Sequence, residues 1–417
     1  MSEPHAVQSF GAAADPASTK MDGVPVIGTA AYIPETARTT MPEADALTGH
    51  VPAISLIVPV YQTEDYLDEC LQSIASQSFT DLEIVCVNDG STDGSRAILE
   101  RWAATEPRLR IIDKANGGLS SARNAGIAAA RGLLLMFVDS DDRILADTCE
   151  KVQAAFAAHQ ADIVTFGAWA LPREDSYPWL ERVLSPNNAV YHGFSPDILF
   201  REASRPFSWR TAVSSAFLRC SSLTFDEQVA FGEDQVFHFM AYPQSECTVF
   251  IADRLYEYRV RRPGSLMSCH REGNARRFHE HQNIARIILH GWQQRGWLAS
   301  WPGPMLNWVL DFMIYDIHNQ HGELRDGLLR GLRDVLAPFL VGIDLEKIGL
   351  GRASLSIYRS IMGIRRSGHV EDADPERPPT LSSLQMNLYY VEQHGFWDAL
   401  KGFCGRWWRR IREHLHR

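Results

Sequence analysis

From Ile54 onward the chain repeats one pattern: a short apolar run rich in β-branched residues, a polar turn, then apolar residues at helical spacing. Ile54 to Val60 (ISLIVPV) has the length and composition of a buried strand and is stopped by Pro59 and the turn behind it. Tyr66, Leu67, Cys70, Leu71 and Ile74 then recur every three or four positions, which predicts a helix with Thr63 or Asp65 at its start. Leu82 to Val87 repeats the strand signal and ends in Asn88-Asp89-Gly90-Ser91, followed by a helix with Ile98, Leu99 and Trp102 inward. Ile111-Ile112, the glycine-bearing Asn116-Gly117-Gly118 and a helix from about Ser120 to Ala130 make a third unit. Leu133 to Val138 is a fully apolar strand that runs into Asp139-Ser140-Asp141-Asp142, and a further helix and a strand at Ile163 to Phe166 follow. This alternation predicts a Rossmann-like α/β fold, a mainly parallel sheet flanked by helices. Ligands of such sheets bind beyond the carboxyl ends of the strands, so Tyr61, Asp89 and Asp139 should converge on one crevice.

The rest of the chain divides around this unit. Residues 1–50 mix small residues, Pro and charges without apolar periodicity, and read as a flexible leader. The α/β domain is expected over 51–268 and a mainly helical C-terminal region over 269–417, with helices at Ala275 to Gln293, Met305 to His318 and Leu324 to Leu340. Between Pro172 and Phe207 no clean period exists, which predicts loops and short elements over the active face. A length of 417 residues suits one core domain with an attachment. A net charge of -10 is unlike that of a polyanion binder, so no nucleic acid is expected as partner. The seven cysteines contain no CxxC pair, which signals neither a zinc site nor a disulfide framework. No signal peptide or membrane-length apolar run is visible, and a cytoplasmic protein is expected.

Asp139 and Asp141 carry the sharpest chemical signal. Two carboxylates two residues apart on a turn can face one ion, and Mg2+ or Mn2+ wants such oxygen ligands while keeping positions open for phosphate oxygens. Taken alone, the same acids could merely favour the start of the next helix. His279 and His281 lack the i, i+4 spacing of a helical metal pair and are read as solvated or packing residues.

Five segments in order and register resemble the family 2 glycosyltransferases: ISLIVPVY (54–61), LEIVCVNDGSTD (82–93), NGGLSSARNAG (116–126), LMFVDSDD (135–142) and GEDQVF (232–237). The resemblance spans roughly Pro52 to Ser268 and implies a GT-A fold, a nucleotide-diphosphate sugar as donor (UDP-linked by expectation) and transfer with inversion to an acceptor hydroxyl. It implies that Pro59 and Tyr61 line the nucleotide pocket and that Asp89 accepts a hydrogen bond from the base. On its own, Asp89 could instead be an Asx-turn residue before the second helix. Arg123 and the neighbouring Gly117 and Gly118 would border the nucleotide, with Arg123 either reaching a phosphate or bracing the sheet through an acidic neighbour. Asp139 and Ser140 would contact the nucleotide sugar, and Asp139 and Asp141 the metal. The second acid of the family's GED pattern is the general base, here Asp234, with Glu233 supporting it; such a base contributes about 100-fold to 10,000-fold. Tyr258 to Ser265 resembles the loop that closes over the diphosphate, with Arg262 and Ser265 as its expected contacts. Where many relatives carry Trp-Asn-Lys, this chain has Trp209-Arg210-Thr211, which leaves the acceptor contacts open.

Phe396, Trp397, Leu400, Phe403, Trp407, Trp408, Ile411 and Leu415 fall at steps of three and four among six basic residues. This basic amphipathic helix either lies peripherally on the inner face of a membrane or packs on its own chain. The expected partners are a nucleotide-sugar donor and a saccharide or lipid-linked acceptor in cell-surface polysaccharide or glycolipid synthesis, an analogy at family level. A non-catalytic nucleotide-sugar-binding scaffold of the same fold is the alternative, against which Asp139, Asp141 and Asp234 together argue.

Overall fold

A computed structural model describes residues 26–28, 50–262, 274–318, 320–341, 343–364 and 379–394. The basic amphipathic segment from Phe396 and most of the leader lie outside the described residues. The strands are β1 (Val26–Gly28), β2 (Ile54–Val60), β3 (Leu82–Asp89), β4 (Leu109–Lys114), β5 (Leu134–Phe137), β6 (Arg143–Ile144), β7 (Ile163–Leu171), β8 (Ala189–His192), β9 (Thr211–Ser214) and β10 (Cys247–Arg259). The helices of the sheet domain are α1 (Glu64–Ala75), α2 (Ser95–Ala103), α3 (Leu119–Ala129), α4 (Thr148–His159), α5 (Pro178–Val183), α6 (Pro196–Phe200), α7 (Ser215–Ser221) and α8 (Glu233–Ala241). Beyond them come α9 (Asn274–Gln294), α10 (Trp297–Ser300), α11 (Pro302–His318), α12 (Gly322–Leu340), α13 (Arg352–Met362) and α14 (Ser383–His394).

The sheet runs β1-β8-β10-β7-β9-β5-β2-β3-β4, with β6 paired to β10. Its β5-β2-β3-β4 portion is parallel, as the repeated strand-turn-helix units require. The whole sheet is mixed rather than mainly parallel, because β9 enters antiparallel to both β5 and β7 and β8 antiparallel to β10. Neither β8 nor β9 exceeds four residues, and their periodicity is too short to announce a strand. Even the leader contributes, since β1 adds to the outer edge beside β8.

Both faces of β2 and β3 are buried, which explains their unbroken apolar character. α3 crosses β2 so closely that a Cβ on Gly126 would stand 2.3 Å from Ile57 Cγ2. On that side a single apolar core runs from Ile57 and Phe137 through Phe237 and Phe239 of α8 to Trp292, Trp308, Leu332 and Ile357 of the C-terminal helices. The helices predicted at 275–293, 305–318 and 324–340 correspond to α9, α11 and α12 with ends shifted by a few residues. Among the described residues no helix is long and apolar enough to cross a membrane.

Candidate active site

Because β2, β3 and β5 are parallel, the chain leaves all three at one edge of the sheet. Tyr61 follows β2, Asp89 ends β3, and Asp139 lies just beyond β5. Tyr61, just past the end of β2, is 47% exposed while Pro59 is held in the strand, so its ring offers a face on which a planar base can stack.

Asp89 is buried, and three donors converge on its carboxylate: Lys114 Nζ at 2.6 Å and the backbone N–H of Gly117 at 3.0 Å on Oδ1, and that of Gly118 at 2.8 Å on Oδ2. Asp89 therefore anchors the glycine turn that leads into α3. Gly118 adopts φ +86°, a conformation that favours glycine, and this lets the turn present its N–H inward. A base could share only what acceptor capacity is left on Oδ2.

Arg123 ties the two halves of the site together. Its guanidinium is 2% exposed and donates to Asp139 Oδ1 at 2.9 Å and to Glu233 Oε1 at 2.7 Å. Burial opposes its charge, but Asp139 and Glu233 more than offset this and hold it protonated. The side chain thus takes the bracing place, between the acidic turn after β5 and the first turn of α8.

α8 starts here for a local reason. Gly232 has φ +75°, a conformation that favours glycine, and packs against Ile284 of α9, whose terminal Cδ1 would stand 2.6 Å from an added Cβ. Asp234 follows in the first turn, its carboxylate accepting from the Phe207 N–H at 2.6 Å and the Gln235 N–H at 2.7 Å. Burial and the neighbouring Glu233 push its carboxyl up to about 7, against the pull of those N–H groups and Arg123. His238, one turn on, is engaged at Nδ1 with the Arg205 carbonyl, and burial presses it down to about 4. It is poorly placed to compete with Asp234 as a base.

The Asp139–Asp142 turn is fixed from behind by β10. Tyr256 accepts from the Asp139 N–H at 3.0 Å and donates to Asp142 Oδ2 at 2.9 Å, while the Arg259 N–H donates to Asp142 Oδ1 at 2.7 Å. Ser140 is buried within the turn. Asp141 is pushed up by burial and then by Asp139, and Arg262 donates to its Oδ2 at 3.0 Å while reaching the Gln62 carbonyl at 2.7 Å. Ser265, the other expected contact of that loop, lies outside the described residues. Among the described residues no three potential ligands converge on one metal position. The pair Asp139 and Asp141 nevertheless fits a divalent ion. Asp142 is taken up by Tyr256 and Arg259, the two remaining acids repel each other, and the carboxylates Asp139, Asp141, Asp142, Glu233 and Asp234 outnumber the facing Arg123, Arg259 and Arg262. A cation that takes one or two protein carboxylates and completes its shell from phosphate and water suits this set.

Arg259 falls within the 258–265 segment expected to close over the diphosphate, whereas Tyr256 and Phe207 are not among the expected site residues. Tyr256 sits on a strand whose alternation gives no sign of what it faces. Phe207 has a left-handed backbone (φ +71°) that aims its N–H at Asp234, a conformation with no marker in the sequence.

An acidic turn at the carboxyl edge of the parallel strands is thus joined through one arginine to a second acidic pair. The family description that matches residues 55–208 is Glycosyl transferase family 2. Glycosyltransferase GlyG of Streptococcus pneumoniae is 31% identical over 223 residues, covering 51% of this chain and 72% of that one. The chain belongs to the family 2 glycosyltransferases. Uncharacterized glycosyltransferase EpsJ of Bacillus subtilis is 35% identical over 219 residues, 52% of this chain and 63% of its own length, so much of that relative is not matched. The fold is shared with residues 1–349 of TarS of S. aureus in complex with UDP-GlcNAc, at a TM-score of 0.57 and 20% identity over 82% of this chain and 92% of that one. TarS is also a sequence relative, 29% identical over 51% of this chain and 36% of its own, named as a poly(ribitol-phosphate) beta-N-acetylglucosaminyltransferase.

Proposed function

We propose that the chain transfers a sugar with inversion from a UDP-linked donor to an acceptor hydroxyl, in the synthesis of a cell-surface polysaccharide or glycolipid. The observation that carries this is the Arg123 bridge: it draws the Asp139 turn, which faces the donor diphosphate, and the Glu233-Asp234 pair, which faces the acceptor, into one site. The donor class is supported by the UDP-GlcNAc complex of TarS, and the β-linkage in that protein's name is what inversion of an α-linked donor produces.

In this reading Tyr61 stacks on the base, and Asp89 holds the glycine turn against the nucleotide. Asp139 and Asp141 would hold Mg2+ or Mn2+, which would neutralise charge on the departing diphosphate. Arg262, already at Asp141, adds a guanidinium on the same side. Asp234 removes the acceptor hydroxyl proton as the oxygen attacks the anomeric carbon from the face opposite the diphosphate. A carboxyl raised to about 7 is well matched to that task, because it is basic enough to take a proton and still ionised at neutral pH. Glu233 raises Asp234 by its charge and fixes Arg123.

The test is a nucleotide-sugar screen with Mg2+ or Mn2+, measuring free nucleoside diphosphate with and without acceptor extracts. Asp234→Asn should lower acceptor-dependent release by about 100-fold or more while UDP affinity stays within a factor of two. A non-catalytic scaffold would show no release in the wild type and no change in the variant. A product that keeps the donor's anomeric configuration would rule out the inverting route.

A further inference from the structure

The segment between β7 and β9, irregular in sequence, carries two aromatic side chains that the donor chemistry does not use. Tyr177 and Trp179 are 39% and 42% exposed, and their rings lie nearly parallel, 14° apart at 6.1 Å between centroids. They are held rather than loose. Pro178 opens α5, and Leu180 and Val183 of the same helix are buried. Trp179 meets the Phe207 ring edge-on at 6.3 Å, and Phe207 stacks on Trp209 at 4.9 Å. Trp209 in turn stacks on Tyr256 at 4.2 Å and on Tyr258 at 5.2 Å.

This aromatic run reaches the chemistry at two points. The Phe207 N–H is bonded to the Asp234 carboxylate, and Tyr256 is bonded to the Asp139 turn. Tyr258, two residues past Tyr256 on β10, closes the run, its ring 5.3 Å from that of Phe207 and 5.2 Å from that of Trp209. Half-exposed parallel rings suit a ligand with a flat apolar face. The C–H face of a pyranose is such a surface, because its slightly positive hydrogens meet the negative faces of aromatic rings. An open-chain polyol phosphate offers no rigid face.

We propose that Tyr177 and Trp179, backed by Phe207, form the acceptor platform, and that the acceptor presents a pyranose ring to it. This rests on the glycosyltransferase reading and adds the acceptor class, which the departure at Trp209-Arg210-Thr211 left open. Calorimetric titration of the full chain loaded with UDP and Mn2+ tests it, using cellotetraose, maltotetraose, chitotetraose and D-ribitol 5-phosphate as probes. At least one tetrasaccharide should bind the wild type, and Tyr177→Ala and Trp179→Ala should each raise its Kd tenfold or more. UDP affinity and Tm should hold in both variants, since both side chains are exposed. The proposal is overturned if no tetrasaccharide binds the UDP-loaded wild type, if the variants bind it unchanged, or if only ribitol phosphate binds. Failure of the wild type to bind UDP at all would instead remove the donor reading, and this proposal with it.

Discussion

Asp234 carries two consequences of one perturbation. Burial and Glu233 raise its carboxyl from the ordinary carboxylate range to about 7, so the base is disabled by a proton just below neutrality. The acceptor-dependent kcat/KM should fall tenfold per pH unit below about 7, and a limb centred near 4 would contradict the assignment. The same shift bears on stability. A group whose folded value is raised favours the fold while protonated, and loses that contribution as pH rises from its unfolded value near 4 through the folded value near 7. Asp234→Asn cannot ionise, so its Tm relative to wild type should climb between pH 5 and pH 8. A difference that stays constant with pH would show that Asp234 is not strained. Arg123 is the other residue on which the site depends. Arg123→Met leaves Asp139 and Glu233 facing each other in a buried place, and should cost about 3–5 kcal/mol in urea unfolding, as loss of one partner of a buried pair does. A loss below about 1 kcal/mol would mean that the two acids find other partners.

At the scale of elements, what was legible in the sequence is what local chemistry decides. β2, β3 and β5 announce themselves as apolar runs because both faces are buried, and Asp89 and Asp139 lie at one edge of the sheet because parallel strands end together. The antiparallel β9 is opaque, since four residues buried by tertiary pairing carry no period. Nor does the pattern show that Asp89 grips the glycine turn rather than standing free, because that depends on Lys114 folding back over it. α3 makes the dependence measurable. Its Gly126 lies against Ile57, where an added methyl has only 2.3 Å, so Gly126→Ala must lift α3 from β2 or distort the strand. Overpacking of this kind costs about 1–3 kcal/mol, and it should also displace Arg123 and lower turnover more than it weakens UDP binding. Urea melts and steady-state kinetics of the one variant check both halves, and unaltered turnover would mean that the bridge does not depend on how α3 is seated.

For the molecule as a whole, a change from alternating to helical periodicity after Cys269 places a boundary at 268, yet the buried core crosses it. Ile57 and Phe137 of the sheet, Phe237 and Phe239 of α8, and Trp292, Trp308 and Leu332 of the helices belong to one contiguous cluster. The Trp292 indole N–H donates to the Phe239 carbonyl at 2.8 Å, and Ile284 of α9 packs against Gly232 at the start of α8. The helix that presents Asp234 is therefore seated on the C-terminal helices as much as on the sheet, and those helices support the position of Asp234 rather than form a separable appendage. Periodicity marks where the kind of element changes, whereas the unit of folding is set by which buried faces share a core. Leu332 of α12 is fully buried within that core, so Leu332→Ala should cost about 2–5 kcal/mol. In one cooperative unit that loss moves the entire unfolding transition, seen alike by tryptophan fluorescence and by the Tm gained on saturation with UDP and Mn2+. Two resolved transitions, with the UDP-sensitive one unmoved by Leu332→Ala, would make the helical region an independent domain and leave α8 supported by the sheet alone.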